Sequence, residues 1–141
     1  MKKYFLVFLS GIIISAVSSC SDNAPKWDIG ADGPQTVFAA LKDGTLTISG
    51  KGRMKDLRGS DRPWHEYRDA ITEIVIKNGV TSIGNSTFEG CANLTSITIS
   101  NSVTEVGGCA FSGCTRLTSV RGPFTLEQLK SYDCWMEVLE F

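Results

Sequence analysis

Residues 74–96 read IVIKNGVTSIGNSTFEGCANLTS, and residues 97–119 read ITISNSVTEVGGCAFSGCTRLTS. Twelve of the 23 aligned positions are identical in the two windows. This part of the chain therefore superposes on itself at a shift of one window length. Periods of roughly 20–50 residues are typical of repeat proteins, in which each unit buries one face against the next. The self-similarity predicts a solenoid rather than a compact domain with a single layered core.

The alternation of side chains within each window predicts short strands. Ile97 and Ile99 flank Thr98, so a strand at this position directs the two isoleucines inward and Thr98 outward. Equivalent residues of successive units should then stack, with Ile74, Ile97 and Val120 forming one ladder. A period of about 20–29 residues is typical of leucine-rich-repeat-like solenoids. We therefore predict an α/β repeat fold that is dominated by strands and built from 23-residue units.

Between the strands, a compact turn carries an aromatic side chain into the core. Phe111 lies between Cys109 and Cys114, in a segment that we predict to contain one turn of helix. Burial of each core side chain contributes about 1.5–3 kcal/mol to stability. The predicted repeat core consists of Ile74, Ile76, Val80, Ile83, Phe88, Cys91, Leu94, Ile97, Ile99, Val103, Val106, Phe111, Cys114 and Leu117.

An N-terminal segment is predicted to cover the first repeat. Residues 36–41 (TVFAAL) and 45–49 (TLTIS) are joined across an Asp-Gly pair, which favours a β-hairpin. We predict that this hairpin caps the repeats together with Trp64 and Tyr67. Trp64 precedes Phe88 by close to one repeat length, so it is predicted to fill the equivalent position in the core.

The C-terminal flank begins with a helix signal. The spacing of Thr125 and Gln128 is that of a capping box, so a short helix should begin there and continue through Leu129. Residues 132–141 (YDCWMEVLEF) are unusually apolar for a chain terminus. They either fold back over Val120 or associate with a second copy of the chain.

The first residues have the order of a secretory signal peptide. A basic start at Lys2 and Lys3 precedes an apolar run over residues 4–17, which small residues follow. As a helix this run spans only about 21 Å, short of the roughly 30 Å hydrocarbon core of a membrane. The sequence Val-Ser-Ser-Cys that ends at Cys20 resembles the lipobox of bacterial lipoproteins, in which the cysteine becomes lipidated. An ordinary signal peptide with an incidental cysteine is the alternative.

The charge balance argues against nucleic-acid binding. The chain carries 14 Lys+Arg against 15 Asp+Glu, a formal net charge of −1. Such a balance gives no electrostatic basis for attraction to nucleic acid. Basic residues concentrate between Lys51 and Arg68 but are interrupted by acidic ones, which is typical of a solvated loop. Contact of this segment with an acidic glycan or a host protein is the alternative.

The spacing of reactive side chains does not favour catalysis. His65 is the single histidine, and a hydrolase site would have to combine it with Ser60, Asp61 or Asp69. No recognised arrangement of nucleophile, base and orienting carboxylate has that spacing. We therefore predict no catalytic residue and no cofactor.

The cysteines of the repeats are predicted to be structural. Cys91 and Cys114 occupy the same repeat position, which favours buried thiols that pack as small apolar side chains. A Cys91–Cys114 disulfide is one alternative, because stacked strands lie within bonding range of each other. A metal site that also includes Cys109 and Cys134 is the other, but only one of the two ligand pairs has the usual close spacing. We predict no bound metal.

The repeats resemble those of a known family. The strings VTSIGNSTFEGCANLTSITISNSV (80–103) and VGGCAFSGCTRLTSV (106–120) are similar to repeats of BspA-like bacterial surface proteins, which are leucine-rich-repeat proteins often carried on lipoproteins. Residues 46–54 and 63–74 are similar to the segment that precedes such arrays. The resemblance covers residues 36–120 and includes two full repeats. It implies a non-enzymatic lipoprotein of the bacterial cell envelope, at the outer membrane or cell surface, that mediates protein interaction or adhesion.

Five segments and one interaction face follow from these patterns. The segments are a signal peptide at 1–19, a lipidated cysteine and tether at 20–26, an N-terminal hairpin and cap at 27–70, leucine-rich repeats at 71–120 and a C-terminal cap at 121–141. The predicted partners are a host or bacterial surface protein or a glycan, and the membrane through the lipid anchor. A shortened repeat module with no ligand of its own is the alternative. The candidate interaction face consists of Thr72, Lys77, Thr95, Thr98 and Ser100.

Overall fold

The computed structural model describes residues 24–131. The predicted signal peptide, Cys20 and the apolar segment 132–141 with Cys134 lie outside the described residues. Two 3₁₀ segments of the described chain span Gly59–Asp61 and His65–Ala70, and one short helix, α1, spans Leu126–Ser131. The strands are β1 (Lys26–Asp28), β2 (Val37–Lys42), β3 (Thr45–Gly50), β4 (Gly52–Arg53), β5 (Glu73–Ile76), β6 (Val80–Ile83), β7 (Ser96–Ile99), β8 (Glu105–Val106) and β9 (Ser119–Arg121).

The described strands form two sheets, which the chain visits alternately from β3 to β9. The first sheet has the order β1-β2-β3-β5-β7-β9, and the second has the order β4-β6-β8. From β3 onward every neighbouring pair is parallel, so the chain returns to the same end before each new strand. Ile97 pairs with Ile74 on one side and with Val120 on the other, which is the predicted ladder. The prediction of a strand-rich repeat fold with parallel sheets is confirmed.

A tight hairpin joins β2 to β3. Lys42 pairs with Thr45 across a two-residue turn in which Asp43 has a φ of 50° and Gly44 a φ of 82°. Turns with two successive positive φ values match the twist of antiparallel strands, and an Asp-Gly pair tolerates them well. The local sequence therefore sets the turn type and, through it, the register of β2 against β3.

Strand β3 also opens the parallel stack, one coil earlier than the sequence identity indicates. Leu46 pairs with Ile74, and Ile48 pairs with Ile76. The chain from Leu46 to Ile74 is longer than the chain from Ile74 to its own partner Ile97. The two 3₁₀ segments lie between β3 and β5 and take up the additional length. This part of the chain therefore forms a coil of its own in front of the two repeats.

A row of aromatic rings fills the core along the stacking direction. The ring centroid of Trp64 lies 6.0 Å from that of Phe88, which in turn lies 5.5 Å from that of Phe111. Trp64 is fully buried, as its spacing from Phe88 predicts, and the ring of Trp27 lies 6.1 Å from it. Tyr67 is 47% exposed, however, and its packing is limited to a contact with Trp27, whose ring centroid lies 6.2 Å from that of Tyr67.

The predicted repeat core lies inside the stack with one exception. Its members are buried except Val106, which is half-buried on β8 and packs against the core. The predicted helical turn over residues 109–114 is wrong, because this segment forms successive turns. Cys109 has a φ of 61° and Gly113 a φ of 78°, and such left-handed conformations interrupt a helix.

Helix α1 begins as the sequence predicts. The Oγ1 atom of Thr125 accepts a hydrogen bond from the backbone N–H of Gln128 at 3.1 Å. In return, the Oε1 atom of Gln128 accepts one from the backbone N–H of Thr125 at 2.8 Å. This reciprocal capping box satisfies two N–H groups at the start of the helix. Leu129, one turn further on, is fully buried at the end of the stack.

Candidate functional site

The outward side of the first sheet carries one row of side chains in register across four parallel strands. Thr47 of β3 pairs with Val75 of β5, Val75 pairs with Thr98 of β7, and Thr98 pairs with Arg121 of β9. Their neighbours along each strand point into the core, so the four side chains lie on the opposite face. Ala40 of β2, which pairs with Thr47, extends the row at its antiparallel end. We call the four side chains of Thr47, Val75, Thr98 and Arg121 the sheet row.

The predicted interaction residues all lie on β7 or beside β5 and β7. Thr72, Lys77 and Thr95 are exposed, whereas Thr98 and Ser100 are half-buried. Lys77 directly follows β5, and Thr98 belongs to the sheet row. The structure thus brings the five residues to two neighbouring strands, but it does not give them equal freedom to bind a partner.

Three of these five residues differ from the rest because the fold itself uses their hydroxyl groups. The Oγ1 atom of Thr95 donates to the carbonyl oxygen of Thr72 at 3.1 Å, and Thr72 donates to the carbonyl oxygen of Gly44 at 3.4 Å. The hydroxyl of Ser100 lies 2.7 Å from that of Ser102. Within residues 24–131, the side chains of Lys77 and Thr98 make no comparable hydrogen bond, which leaves them available to a ligand.

Three of the four residues of the sheet row are absent from the predicted interaction face, and two of these lie outside the two repeat windows. Thr47 lies in β3, whose membership of the parallel stack is hidden because its offset from β5 exceeds the repeat length. Arg121 lies beyond the second repeat, on the strand that ends the sheet. Arginine is among the residues that most often dominate binding energy in interfaces. The predicted ladder already includes Val120 of this strand, so alternation of side chains along the strand is the signal that could have placed Arg121 on the outward face.

The basic segment between Lys51 and Arg68 is largely exposed, as the sequence predicts, but not at Arg62. Arg62 is only 5% exposed and donates to the carbonyl oxygen of Ser86 at 2.8 Å. Arg53 forms an ion pair with Asp32, in which Nε and Nη2 of Arg53 donate to Oδ1 of Asp32 at 2.9 and 2.7 Å. The backbone N–H of Arg53, and then its guanidinium, lower the pKa of Asp32. Arg62 is thus withdrawn from the surface and the exposed Arg53 is paired with Asp32, so the described segment offers no continuous basic patch.

His65 is held by an arginine rather than by catalytic partners. Its Nε2 atom lies 3.2 Å from Nη1 of Arg68, which also donates to the His65 carbonyl oxygen at 2.6 Å. Its Nδ1 atom is buried and has no hydrogen-bond partner within residues 24–131. Ser60 lies exposed on the other 3₁₀ segment. The described residues therefore do not place a nucleophile or an orienting carboxylate on His65.

The two cysteines that share a repeat position are buried, as the sequence predicts. Cys91 and Cys114 are buried thiols, and Sγ of Cys114 donates to the carbonyl oxygen of Phe88 at 3.2 Å. Cys109, which the sequence places outside this repeat position, is disulfide-bonded. The bond involves neither of the other two cysteines. Among residues 24–131, no three metal-binding side chains come together.

The described chain contains no helix that is both long and apolar enough to cross a membrane.

Two parallel sheets, in which each strand adds to the edge of the one before it, define a leucine-rich repeat domain. Residues 65–135 match the family model described as "BspA type Leucine rich repeat region (6 copies)". The chain belongs to this BspA-type leucine-rich repeat family. Leucine-rich repeat domains generally bind proteins, so family membership supports a role in protein interaction.

A solved structure supports the same assignment. The chain is similar to a leucine-rich repeat protein from Eubacterium ventriosum ATCC 27560, with 36% sequence identity and a TM-score of 0.61. The match covers 74% of this chain but only 27% of that protein. The chain therefore spans about a quarter of the length of this relative. A comparison with curated proteins gave no match.

Proposed function

We propose that this protein is an exported, lipid-anchored bacterial lipoprotein that binds a protein on a host or neighbouring cell through the outward side of its parallel sheet. The observation that carries the proposal is the sheet row, which aligns Thr47, Val75, Thr98 and Arg121 on one face. Lys77 lies beside this row and is exposed. Neither cavity described within residues 24–131 is lined by the sheet row, and a face with a few polar side chains suits another protein surface better than a small molecule.

The charges and contacts of this face favour a weak, repeated interaction. Thr98 and Lys77 are available to a ligand, and Arg121 supplies a side chain suited to an interface anchor. The face lacks a buried aromatic anchor, so one copy should bind weakly. Many copies anchored on one membrane would strengthen the contact, because each further binding event becomes intramolecular.

Export and anchoring rest on the N-terminal sequence. Residues 1–19 have the order of a signal peptide, and Cys20 ends the lipobox-like sequence. The proposed tether over residues 20–26 is one residue shorter than the sequence predicts, because Lys26 already pairs with Ala40 in β1. BspA-type proteins are typically surface-associated, which agrees with this assignment. The outer membrane or cell surface is the proposed location, where the sheet row can meet a partner.

The proposed organisation divides the fold into a cap, an array and a closing segment. The pairing of Ile74 with Ile97 and of Ile97 with Val120 supports the 23-residue unit over 71–120. Strand β2 pairs with the remaining edge of β3, which supports a capping role for the hairpin within residues 27–70. Helix α1, whose Leu129 is buried at the end of the stack, supports the proposed closing role of residues 121–141.

Binding of the purified mature chain to immobilised matrix proteins and to host cells tests the function. The double variant Thr98→Arg, Lys77→Glu should abolish retention, because it adds bulk and reverses charge on the two available side chains. The matched control is Thr104→Arg, an exposed threonine beside β8 on the other sheet, which should bind as the wild type does. Equal binding by the double variant would remove the sheet row from the proposal.

The alternative of a repeat module without a ligand has its own outcome. If saturating wild-type chain is not retained on any of these surfaces, the module has no ligand of the proposed class. Glycan arrays extend the same measurement to the glycan alternative.

Lipidation is tested separately. Labelled palmitate should enter the wild type and not the Cys20→Ala variant. Labelling of both would exclude Cys20 as the anchor.

A further inference from the structure

The last full coil of the stack directs a backbone N–H group toward the C-terminal end. One coil earlier, the N–H of Phe88 donates to the carbonyl oxygen of Ala110 at 2.9 Å. Phe111 occupies the repeat position of Phe88, so its own N–H faces the side where a further coil would lie. Phe111 is only 3% exposed, yet its N–H has no acceptor within residues 24–131. Because buried N–H groups of native proteins are paired, this end of the stack indicates a further layer.

A cavity of about 260 Å³ lies at the same end of the stack. Its lining includes the apolar side chains of Phe111, Leu117 and Leu129, together with Lys130. Leu129 and Lys130 belong to the final turn of α1. The chain therefore continues into residues 132–141 directly beside the cavity.

A disulfide also leads from the last full coil to a part of the chain outside the described residues. Cys109 is disulfide-bonded, and its bond involves neither Cys91 nor Cys114, which are thiols. The remaining cysteines of the chain are Cys20 and Cys134. One of these two is therefore the partner within the chain.

The position of Cys109 in the fold distinguishes between the two. Cys109 precedes Phe111 by two residues, in the turn that leads to the cavity. Cys134 follows the end of α1 at Ser131 by three residues, which span at most about 10 Å. Cys20 instead precedes β1, which forms the opposite edge of the first sheet from β9. The route of the chain thus favours Cys134 as the partner.

The segment after α1 also carries an aromatic ring at the spacing of the stack. Trp64 precedes Phe88 by 24 residues, and their ring centroids lie 6.0 Å apart. Trp135 follows Phe111 by the same 24 residues. The row of aromatic rings can therefore be extended at this end in the way that Trp64 extends it at the other. An indole ring in this place would cover Phe111 and the cavity beside it.

We propose that a disulfide between Cys109 and Cys134 fastens residues 132–141 over the C-terminal end of the stack. Trp135 packs against Phe111 there and continues the row of aromatic rings. The backbone of the segment supplies the acceptor for the N–H of Phe111. This arrangement rests on the closing role proposed for the C-terminal segment and gives it a covalent form. Binding through the sheet row does not depend on it.

The bond forms by thiol–disulfide exchange with an external disulfide RS–SR, such as oxidised glutathione. The thiolate of Cys109 or Cys134 attacks one sulfur of RS–SR, forms a mixed disulfide and releases RS⁻. The thiolate of the other cysteine then attacks the cysteine sulfur of the mixed disulfide and releases the second RS⁻. The two cysteines lose two protons and two electrons, and RS–SR is reduced to two RSH. Disulfides persist in oxidising compartments, which agrees with the proposed export.

Peptide mapping without reduction tests the link. The purified, folded chain is first treated with oxidised glutathione, so that the outcome does not depend on export, and the remaining thiols are then alkylated in denaturant. Cleavage after glutamate places Cys109 in peptide 106–127 and Cys134 in peptide 128–137. We expect these two peptides to be joined within one chain, with Cys114 alkylated. Unlinked peptides, a link to the N-terminal cysteine or a disulfide-linked dimer would overturn the proposal.

Two serine variants identify the bonded cysteines. Cys134→Ser should lose the joined peptides, with Cys109 left as a thiol or a glutathione adduct. Cys20→Ser is the matched control and should retain them. A protein disulfide of Cys109 that persists in Cys134→Ser, or joined peptides that disappear in Cys20→Ser, would assign the bond to another cysteine.

Amide hydrogen exchange tests whether the segment covers the end of the stack. We expect the N–H of Phe111 to be protected in the wild type and to lose this protection in Cys134→Ser and in Trp135→Ala. The N–H of Phe88 is the internal control, because Ala110 accepts its hydrogen bond in every variant. Its unchanged protection also shows that the stack remains folded. Rapid exchange at Phe111 in the wild type, or unchanged protection in either variant, would contradict the proposed cover.

Discussion

The coil formed by residues 45–70 and the proposed repeats at 71–120 occupy equivalent places in the stack but have different sequences. Both send strands into the same two sheets, and both place an aromatic ring in the same row. The repeats do so with one common spacing and a shared Phe-x-Gly-Cys sequence. The first coil has a longer offset to its neighbour, two 3₁₀ segments and the larger ring of Trp64.

The two regions are also joined to the next coil in different ways. Between the repeats, an amide side chain is used: Oδ1 of Asn85 accepts the N–H of Gly108 at 2.7 Å. The first coil is instead joined to the next one by charged side chains. Oδ1 of Asp56 accepts the N–H of Asn85 at 2.8 Å, and the buried Arg62 donates to Ser86. A place in the stack therefore requires a register and a filled core position, not a particular sequence.

Truncation of the first coil's aromatic ring is the strongest test of this comparison. Trp64→Ala should lower the free energy of unfolding by an amount near the upper end of about 3–5 kcal/mol, because Trp64 is fully buried between Trp27 and Phe88 in the ring row. Urea denaturation measures the change. A loss well below that of Phe111→Ala would show that the first coil is a loose cover rather than part of the stack.

The corresponding change in the last full repeat should cost less. Phe111→Ala is expected near the lower end of about 3–5 kcal/mol, since this ring borders the cavity at the end of the stack. The same urea titration compares the two variants directly. An unchanged midpoint would mean that Phe111 does not support the core.

The buried arginine tests whether the first coil depends on its charged link. Arg62→Ala should cost about 1–3 kcal/mol, because it leaves the buried carbonyl oxygen of Ser86 without its donor. Arg58→Ala is the matched control at an exposed position and should stay within about 0.5 kcal/mol of the wild type. Equal stability of the two variants would argue against a structural role for Arg62.

The smallest expected effect concerns acid stability of the N-terminal region. The pKa of Asp32 in the folded chain is lowered below its ordinary value of 3.8 by Arg53, so its contribution to stability is present above that value. The contribution is lost as the pH falls through about 3.8 and below. Melting temperatures of the wild type and Asp32→Asn should therefore differ at neutral pH and converge in acid. A constant difference across this range would exclude the ion pair as its cause.

The sequence predicts the regular part of the fold and misses what depends on irregular spacing. Identity between the two windows predicts the ladder of Ile74, Ile97 and Val120, because equal spacing leads to equal pairing. The coil opened by β3 has neither identity nor equal spacing, so its place in the stack is not visible in the sequence. Thr47 of the sheet row is missed for this reason. Arg121 is missed although it follows Thr98 at the repeat spacing, because it lies beyond the second window.

Single residues depart from prediction where burial opposes their usual chemistry. Arg62 belongs to a segment whose composition indicates a solvated loop, yet it is buried because Ser86 offers it a carbonyl oxygen. Cys109 lies close to the thiols of the repeats in sequence, but it precedes Phe111 in the turn and occupies a different position from Cys91. Local composition cannot distinguish such positions, because only the coil above or below supplies the partner.

The parallel pairing has a consequence for how such a protein can change over generations. Strand β7 receives β5 on one edge and offers β9 an edge of the same kind, since Ile97 pairs in register with both Ile74 and Val120. After duplication or deletion of a unit, the strands that become neighbours would therefore pair through the same kind of edge as the present neighbours do. Array length is thus a trait that in-frame duplication or loss can alter in single steps, while the hairpin of β2 and β3 at one end and α1 at the other stay as they are.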